Sequence, residues 1–344
     1  MAEDAEDAEA QSAERRGAEA QSAEAARAFW TIAPGVGEIR REALREAGAD
    51  DVVVRALYSG ISRGTEALVF SGRVPPTEYH RMRAPFQAGE LPGPVKYGYA
   101  SVGTVEQGPG EMIGRGIFAL FPHQTRYVVP AAAVHLLPAG VPPSRAVLAA
   151  NLETAVNGVW DAEPQRTDRV TVIGAGAVGC LVAYVAARTV GCDVELVDTN
   201  PAREPIARAL GVRFALPGEA ASGASIVIHA SGSPAGLERA LELAAFEALI
   251  LEMSWYGSQR VALPLGEAFH AQRLTIKSSQ VGHVARPQRA RYDRRGRMHV
   301  ALSLLDDAAL DVLITGESAF DELPGVMARL AGGPADSICH RIRY

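Results

Sequence analysis

Cysteine is scarce: Cys180, Cys192 and Cys339 are the only three among 344 residues, and no two form a C-x-x-C pair. Three thiols cannot build a disulfide scaffold, so a reducing cytoplasmic setting is expected. Lysine is nearly missing, with Lys96 and Lys277 alone. The 34 basic residues face 40 acids, giving a formal net charge of -6 and a pI near 5.8. No global positive field exists to draw nucleic acid or anionic lipid, and neither partner is expected. Long apolar runs are absent too. The uncharged apolar stretch from Ala175 to Ala187 falls short of the roughly 18 residues that span a bilayer and is broken by glycine. No G-x-S-x-G elbow and no H-E-x-x-H pair occurs, which removes the commonest hydrolase and metalloprotease readings.

What remains is 48% hydrophobic and 22% charged, with a mean hydropathy of +0.02, the profile of a water-soluble globular chain long enough for two domains. Residues 1–28 stand apart. They hold eight acids and three arginines, repeat AEAQSAE at 8–14 and 18–24, and contain no aromatic or branched aliphatic residue. Such a segment cannot bury enough surface to offset its ordering entropy, so a disordered acidic tail is expected; neither a signal peptide nor a mitochondrial presequence fits it. Residues 29–150 read as an irregular β domain of short strands punctuated by Gly and Pro. Over 151–285 strands alternate with helices: RVTVI, VELVD, SIVIHA, EALILEMSW and LTIKSSQ are compact aliphatic runs, as in a parallel sheet covered on both faces. Residues 286–344 lose the alternation and are expected to return to the first domain. The predicted class is α/β, with a doubly wound parallel sheet beside a β domain.

RVTVI runs directly into Gly174-Ala175-Gly176-Ala177-Val178-Gly179, a G-x-G-x-x-G that opens a helix. Gly174 would permit the tight turn, Gly176 the close approach of a pyrophosphate, and Gly179 the packing of helix on strand; Val178 starts the helix's apolar face. The next strand ends at Asp198, placed to hold an adenosine ribose diol and to repel a 2'-phosphate. NAD(H) is therefore favoured over NADP(H), with Arg203 keeping the latter open.

An irregular β domain, a dinucleotide domain and a returning C-terminal segment together resemble the medium-chain dehydrogenase/reductase superfamily, related to zinc alcohol and polyol dehydrogenases. The resemblance implies a GroES-like catalytic domain and a Rossmann domain. In that family a G-I-C-x-T-D-like segment supplies a zinc-binding cysteine, and here Gly60-Ile61-Ser62-Arg63-Gly64-Thr65-Glu66 carries serine. The family's G-H-E-x-x-G corresponds to Gly98-Tyr99-Ala100-Ser101-Val102-Gly103, without the histidine and the glutamate. A third position falls within Asn151-Leu152-Glu153-Thr154, where Glu153 is the one acid. Neutral Ser, Tyr and Ala side chains do not hold zinc tightly, so no metal is expected. The GISRGTE and GYASVG pair resembles a zinc-less branch near the bacteriochlorophyllide a dehydrogenase group.

Without a metal another donor must manage the proton and the developing oxyanion that accompany hydride transfer. Tyr99 is the first candidate, given a lowered pKa; Thr65 is next, as the counterpart of a family hydroxyl that relays a proton, although an ungapped register puts Gly64 there. Ser62 is a filler at the lost ligand position or a donor, and Glu153 an orienting acid. His123 reads more readily as a structural group, Cys180 as a buried one, and the six arginines between Arg286 and Arg297 as a solvated loop. The expected activity is zinc-independent, NAD(H)-dependent interconversion of an alcohol and a carbonyl on a small-molecule substrate. Reduction of an activated double bond, a zinc-dependent polyol dehydrogenase, and a noncatalytic nucleotide-binding redox sensor stay open. The resemblance also implies a homodimer joined through the nucleotide domain, with LTIKSSQ as an exposed edge strand.

Overall fold

The computed structural model describes residues 25–333 and 336–344. The expected tail lies mostly outside them, but Ala25 to Ala28, counted with it from composition, belong to the first strand. Burial explains the difference: Ala26 and Ala28 are buried on one face of the strand, and strand pairing satisfies their backbone where composition offers no side-chain signal.

The β-rich part contains β1 (Ala25–Ala33), β2 (Val36–Ala43) and β3 (Asp51–Ile61), then helix α1 (Arg63–Phe70), and next β4 (Ala88–Gly89), β5 (Val95–Lys96), β6 (Ser101–Gln107), β7 (Gly116–Ala119), β8 (Arg126–Pro130) and β9 (Val134–Leu136). Helices α2 (Pro143–Ala146) and α3 (Ala149–Ala162) lead into β10 (Arg169–Ile173), α4 (Ala177–Val185), β11 (Asp193–Val197), α5 (Glu204–Ala209), β12 (Arg213–Ala215), β13 (Ala224–His229), α6 (Pro234–Leu243), β14 (Ala244–Glu252) and β15 (Thr275–Ser278). The chain closes with α7 (Arg294–Leu304), β16 (Ile314–Ala319), α8 (Leu323–Ala331) and β17 (Cys339–Arg343).

β10 to β15 form one parallel six-stranded sheet in the order β12-β11-β10-β13-β14-β15. The order reverses between β10 and β13, the switch point at which doubly wound sheets open a crevice at their strand ends. β15 is an edge of that sheet. A second sheet runs β16-β17-β3-β6-β7-β9, with β8 also on β3, and a third runs β2-β1-β5-β4. The last strand pairs antiparallel with β3, His340 opposite Ile61 and Arg343 opposite Tyr58, so the C-terminus is stitched to the strand that leads into α1.

The largest apolar core joins these parts. Leu152 on α3, Leu181 on α4, Leu196 on β11 and Ile228 on β13 are fully buried in it, each worth about 2 kcal/mol of transfer free energy. Tyr99 packs at the margin of this core and at that of a smaller one holding Tyr97, with Trp255 beside it.

Candidate functional site

Three elements meet where β3 hands over to α1. The turn at Ser62 and the first turn of α1 bring Ser62 and Thr65, the segment between β5 and β6 brings Tyr99, and the start of α3 brings Asn151. The Ser62 hydroxyl donates to Asn151 Oδ1 at 3.0 Å, and the Tyr99 hydroxyl lies near those of Ser62 and Thr65. Thr65, rather than Gly64, thus lies beside Tyr99. Gly98 allows this placement, since its φ is +130° and a Cβ there would stand 2.9 Å from the His123 ring.

Beneath this cluster runs a buried chain of polar groups. Glu66 Oε1 accepts from the Ser62 backbone N–H at 2.7 Å, and Glu66 Oε2 lies 2.8 Å from His123 Nε2. His123 Nδ1 is 2.7 Å from Ser59 Oγ, which is 2.9 Å from the Tyr344 hydroxyl. Ser59, Glu66 and His123 are all buried. His123, read from sequence as a structural group, therefore sits in the chain of bonds that ends under Ser62.

The Tyr99 hydroxyl is pushed up to about 12, by burial first and then by the charge of Glu66, with Ser62 and Thr65 opposing. This corrects the expectation of a lowered pKa: a phenol held among apolar surfaces and beside a carboxylate resists ionisation. At neutral pH Tyr99 is a proton-bearing donor.

Glu153 is elsewhere. Its carboxylate is buried against Arg297 on α7, which lies 3.0 Å away and also donates to Asn157 Oδ1 at 2.5 Å and to the carbonyls of His283 and Val281. Burial raises the Glu153 carboxyl, and Arg297 only partly offsets that. This buried pair ties α3 to α7, and Arg297 leaves the basic run expected to be a solvated loop. Glu153→Gln is expected to lower stability by about 2 kcal/mol in chemical denaturation, by weakening a bond to a buried charge, while leaving ligand affinity unchanged.

The donors gathered here do not suit zinc. Ser62, Tyr99 and Asn151 offer neutral oxygens, and among the described residues no group of three or more His, Cys, Asp or Glu side chains is placed to hold a metal ion.

The glycine turn forms a second site at the carboxyl end of β10. Gly174 has φ +104°, and a Cβ there would lie 2.6 Å from Ser231 Cα. A Cβ on Gly179 would stand 1.8 Å from the Gly174 carbonyl oxygen, so helix and turn touch there. Around Gly176 nothing lies within 4 Å, an open face at the N-terminus of α4. Val178 flanks this turn, half-buried. Asp198 Oδ2 accepts from the Ala175 N–H at 2.7 Å and Oδ1 from the Asn200 N–H at 2.8 Å, which fixes the carboxylate beside the turn. Arg203 is buried, and Cys180 behind the turn is pushed up to about 12 by burial, an unreactive thiol. The open cradle, the helix N-terminus and the fixed carboxylate fit a dinucleotide.

No family model matches the chain. Over 94 residues, 27% of this chain and 27% of the relative, it is 33% identical to a 2-dehydro-3-deoxy-L-galactonate 5-dehydrogenase of Pseudoalteromonas atlantica. Over 181 residues, 46% of this chain and 52% of the relative, it is 31% identical to a 2-desacetyl-2-hydroxyethyl bacteriochlorophyllide A dehydrogenase of Rhodobacter capsulatus. The matches thus span from about a quarter to about half of these curated relatives. Among solved structures, a short chain alcohol dehydrogenase of E. coli CFT073 complexed with NADH superposes with a TM-score of 0.74 at 17% identity, covering 93% of this chain and 100% of that one. A protein described as a zinc-binding dehydrogenase of Sinorhizobium meliloti 1021, bound to NADP, gives 0.74 at 17% identity, covering 93% and 99%. L-idonate 5-dehydrogenase of E. coli K-12 gives 0.75 at 13% identity, covering 93% and 98%. The chain shares the fold of these dehydrogenase structures and resembles alcohol dehydrogenase-like enzymes in sequence.

Proposed function

We propose that the chain is a nicotinamide-dependent oxidoreductase that interconverts an alcohol and a carbonyl without zinc, using NAD(H). The observation that carries this reading is the hydroxyl cluster of Tyr99, Ser62 and Thr65, closed by Asn151, with Ser62 and Tyr99 at positions where the resemblance puts metal ligands. Gly174, Gly176, Gly179, Val178 and Asp198 would hold the dinucleotide, which when bound supplies the hydride acceptor or donor.

The side chains then divide the remaining work. Tyr99, protonated at neutral pH, donates a hydrogen bond to the substrate oxygen and gives up or regains a proton as that oxygen changes between alcohol and carbonyl. Ser62, donating to Asn151 Oδ1, stands near the Tyr99 hydroxyl as one partner for proton exchange, and Thr65 offers a second. Glu66 and His123 act through Ser62: the carboxylate fixes the turn by accepting the Ser62 N–H, and the imidazole fixes the carboxylate. Turnover of a panel of alcohols with NAD+ and of carbonyls with NADH, in metal-free buffer, tests the reading. Activity confined to conjugated enones would replace it with double-bond reduction, and activity that appears only on adding zinc would overturn it.

Asp198 is the residue proposed to favour NAD(H) over NADP(H), through an adenosine ribose diol that it accepts from and a 2'-phosphate that it repels. Asp198→Asn is expected to weaken NAD+ binding about tenfold, the loss of one charged hydrogen bond, and to narrow the preference over NADP+. Titration calorimetry with both cofactors reads this directly; an unchanged preference would remove Asp198 from the assignment.

A further inference from the structure

A second buried polar cluster lies on the other side of the switch point. His229, the last residue of β13, is fully buried, and its Nδ1 is 2.8 Å from Glu252 Oε2 at the end of β14. His229 Nε2 is 2.6 Å from the hydroxyl of Ser231, which is exposed. Glu252 also accepts from the Ser254 N–H at 2.6 Å and the Tyr256 hydroxyl at 3.0 Å. Ser231 borders the glycine turn, because its Cα is the atom that a side chain on Gly174 would strike.

Resting on the function proposed above, we infer that the His229–Glu252 pair is a specificity-determining element of the cofactor site, holding a negative charge that favours the oxidised, cationic nicotinamide over the reduced, neutral one. Position comes first. A dinucleotide lies across the carboxyl ends of the strands at a switch point, one half on each side. With Asp198, just past β11, on the adenosine side, β13, β14 and β15 take the nicotinamide side, and the ends of β13 and β14 are where His229 and Glu252 sit.

Charge comes second. With the Ser231 hydroxyl, which accepts the Ser233 N–H at 3.1 Å, giving its own proton to Nε2, and Nδ1–H donating to the carboxylate, the pair carries one negative charge. Burial works to raise the Glu252 carboxyl, but the bonds from His229 and Ser254 outweigh it and hold it below its ordinary value. The surroundings do not cancel this charge. On β10 the residue opposite His229 is Ile173, and on α6 it is Gly236 that closes over the ring. Tyr256 stays protonated, raised by burial and by Glu252 itself. Lys277 of the neighbouring β15 is engaged by Asp161 of α3, at 2.6 Å from its carbonyl and 3.8 Å from its carboxylate.

The test measures affinities, not turnover. Dissociation constants for NAD+, NADH and ADP-ribose, which lacks the nicotinamide ring, are compared for the wild-type chain, Glu252→Gln and Glu252→Asp. Glu252→Gln is expected to reduce the preference for NAD+ over NADH about tenfold, by weakening NAD+, with ADP-ribose unchanged. Glu252→Asp, which keeps the charge, should keep the preference. An unmoved ratio, or an equal loss for ADP-ribose, would overturn the inference. Should the Gln variant fail to fold, Glu252→Asn takes its place against Glu252→Asp: the same fall in the ratio is expected, and an unmoved ratio overturns the inference. A wild-type chain that binds none of the three ligands would instead defeat the proposed function, so the two failures are distinguishable.

Discussion

Tyr99→Phe is expected to lower kcat/KM by about a hundredfold while leaving the affinity for NAD(H) unchanged, the size of a lost general acid–base contribution. The substitution removes one hydroxyl and keeps the ring, which packs edge-to-face with Tyr97 at 6.0 Å between centroids, so packing at the margin of the two cores is preserved. The pH profile adds a second reading. The folded value of about 12 means that the phenol stays protonated through the range where the chain can be assayed, so Tyr99 should contribute no alkaline limb near pH 10. An unchanged kcat/KM in the Phe variant would reduce Tyr99 to a packing residue.

The glycine turn gives the other large effect, in two separable forms. Gly176→Val introduces a side chain where nothing lies within 4 Å, so the fold should survive while dinucleotide affinity falls a hundredfold or more, the added methyls occupying the approach of the pyrophosphate. Gly179→Ala puts a methyl 1.8 Å from a backbone oxygen, and the only relief is to part helix from strand. A loss of about 3 kcal/mol or more in denaturant unfolding is expected, together with weak binding. Equal stability of the two variants would mean that the three glycines do not divide their tasks this way.

These glycines were legible in the sequence because their work is local: a turn, a contact five residues apart and a helix start all follow from one short run. The fold class followed from the same kind of information, the alternation of aliphatic strands and helices from β10 onward. The proposed proton-handling site was legible only in part. Ser62, Thr65 and Tyr99 could be found through their motifs, but the contribution of α3 could not, because Asn151 and Glu153 are two positions apart and so point about 200° apart around the helix. Composition favours the acid; the geometry turns the amide to Ser62 and the acid to Arg297. Glu66 and His123 are 57 residues apart, and nothing in either local pattern announces the other. His229 and Glu252 were hidden for a related reason. Each ends a separate strand, and only the parallel register of β13 on β14 sets them opposite one another. Polar groups that meet through tertiary contact leave no period to read.

The most direct test of the central claim is native mass spectrometry of the chain, purified without chelators and titrated with NAD(H). The expected result is one dinucleotide per chain and no stoichiometric zinc. A chain that carries tightly held zinc, or that binds no dinucleotide even in large excess, would contradict the account.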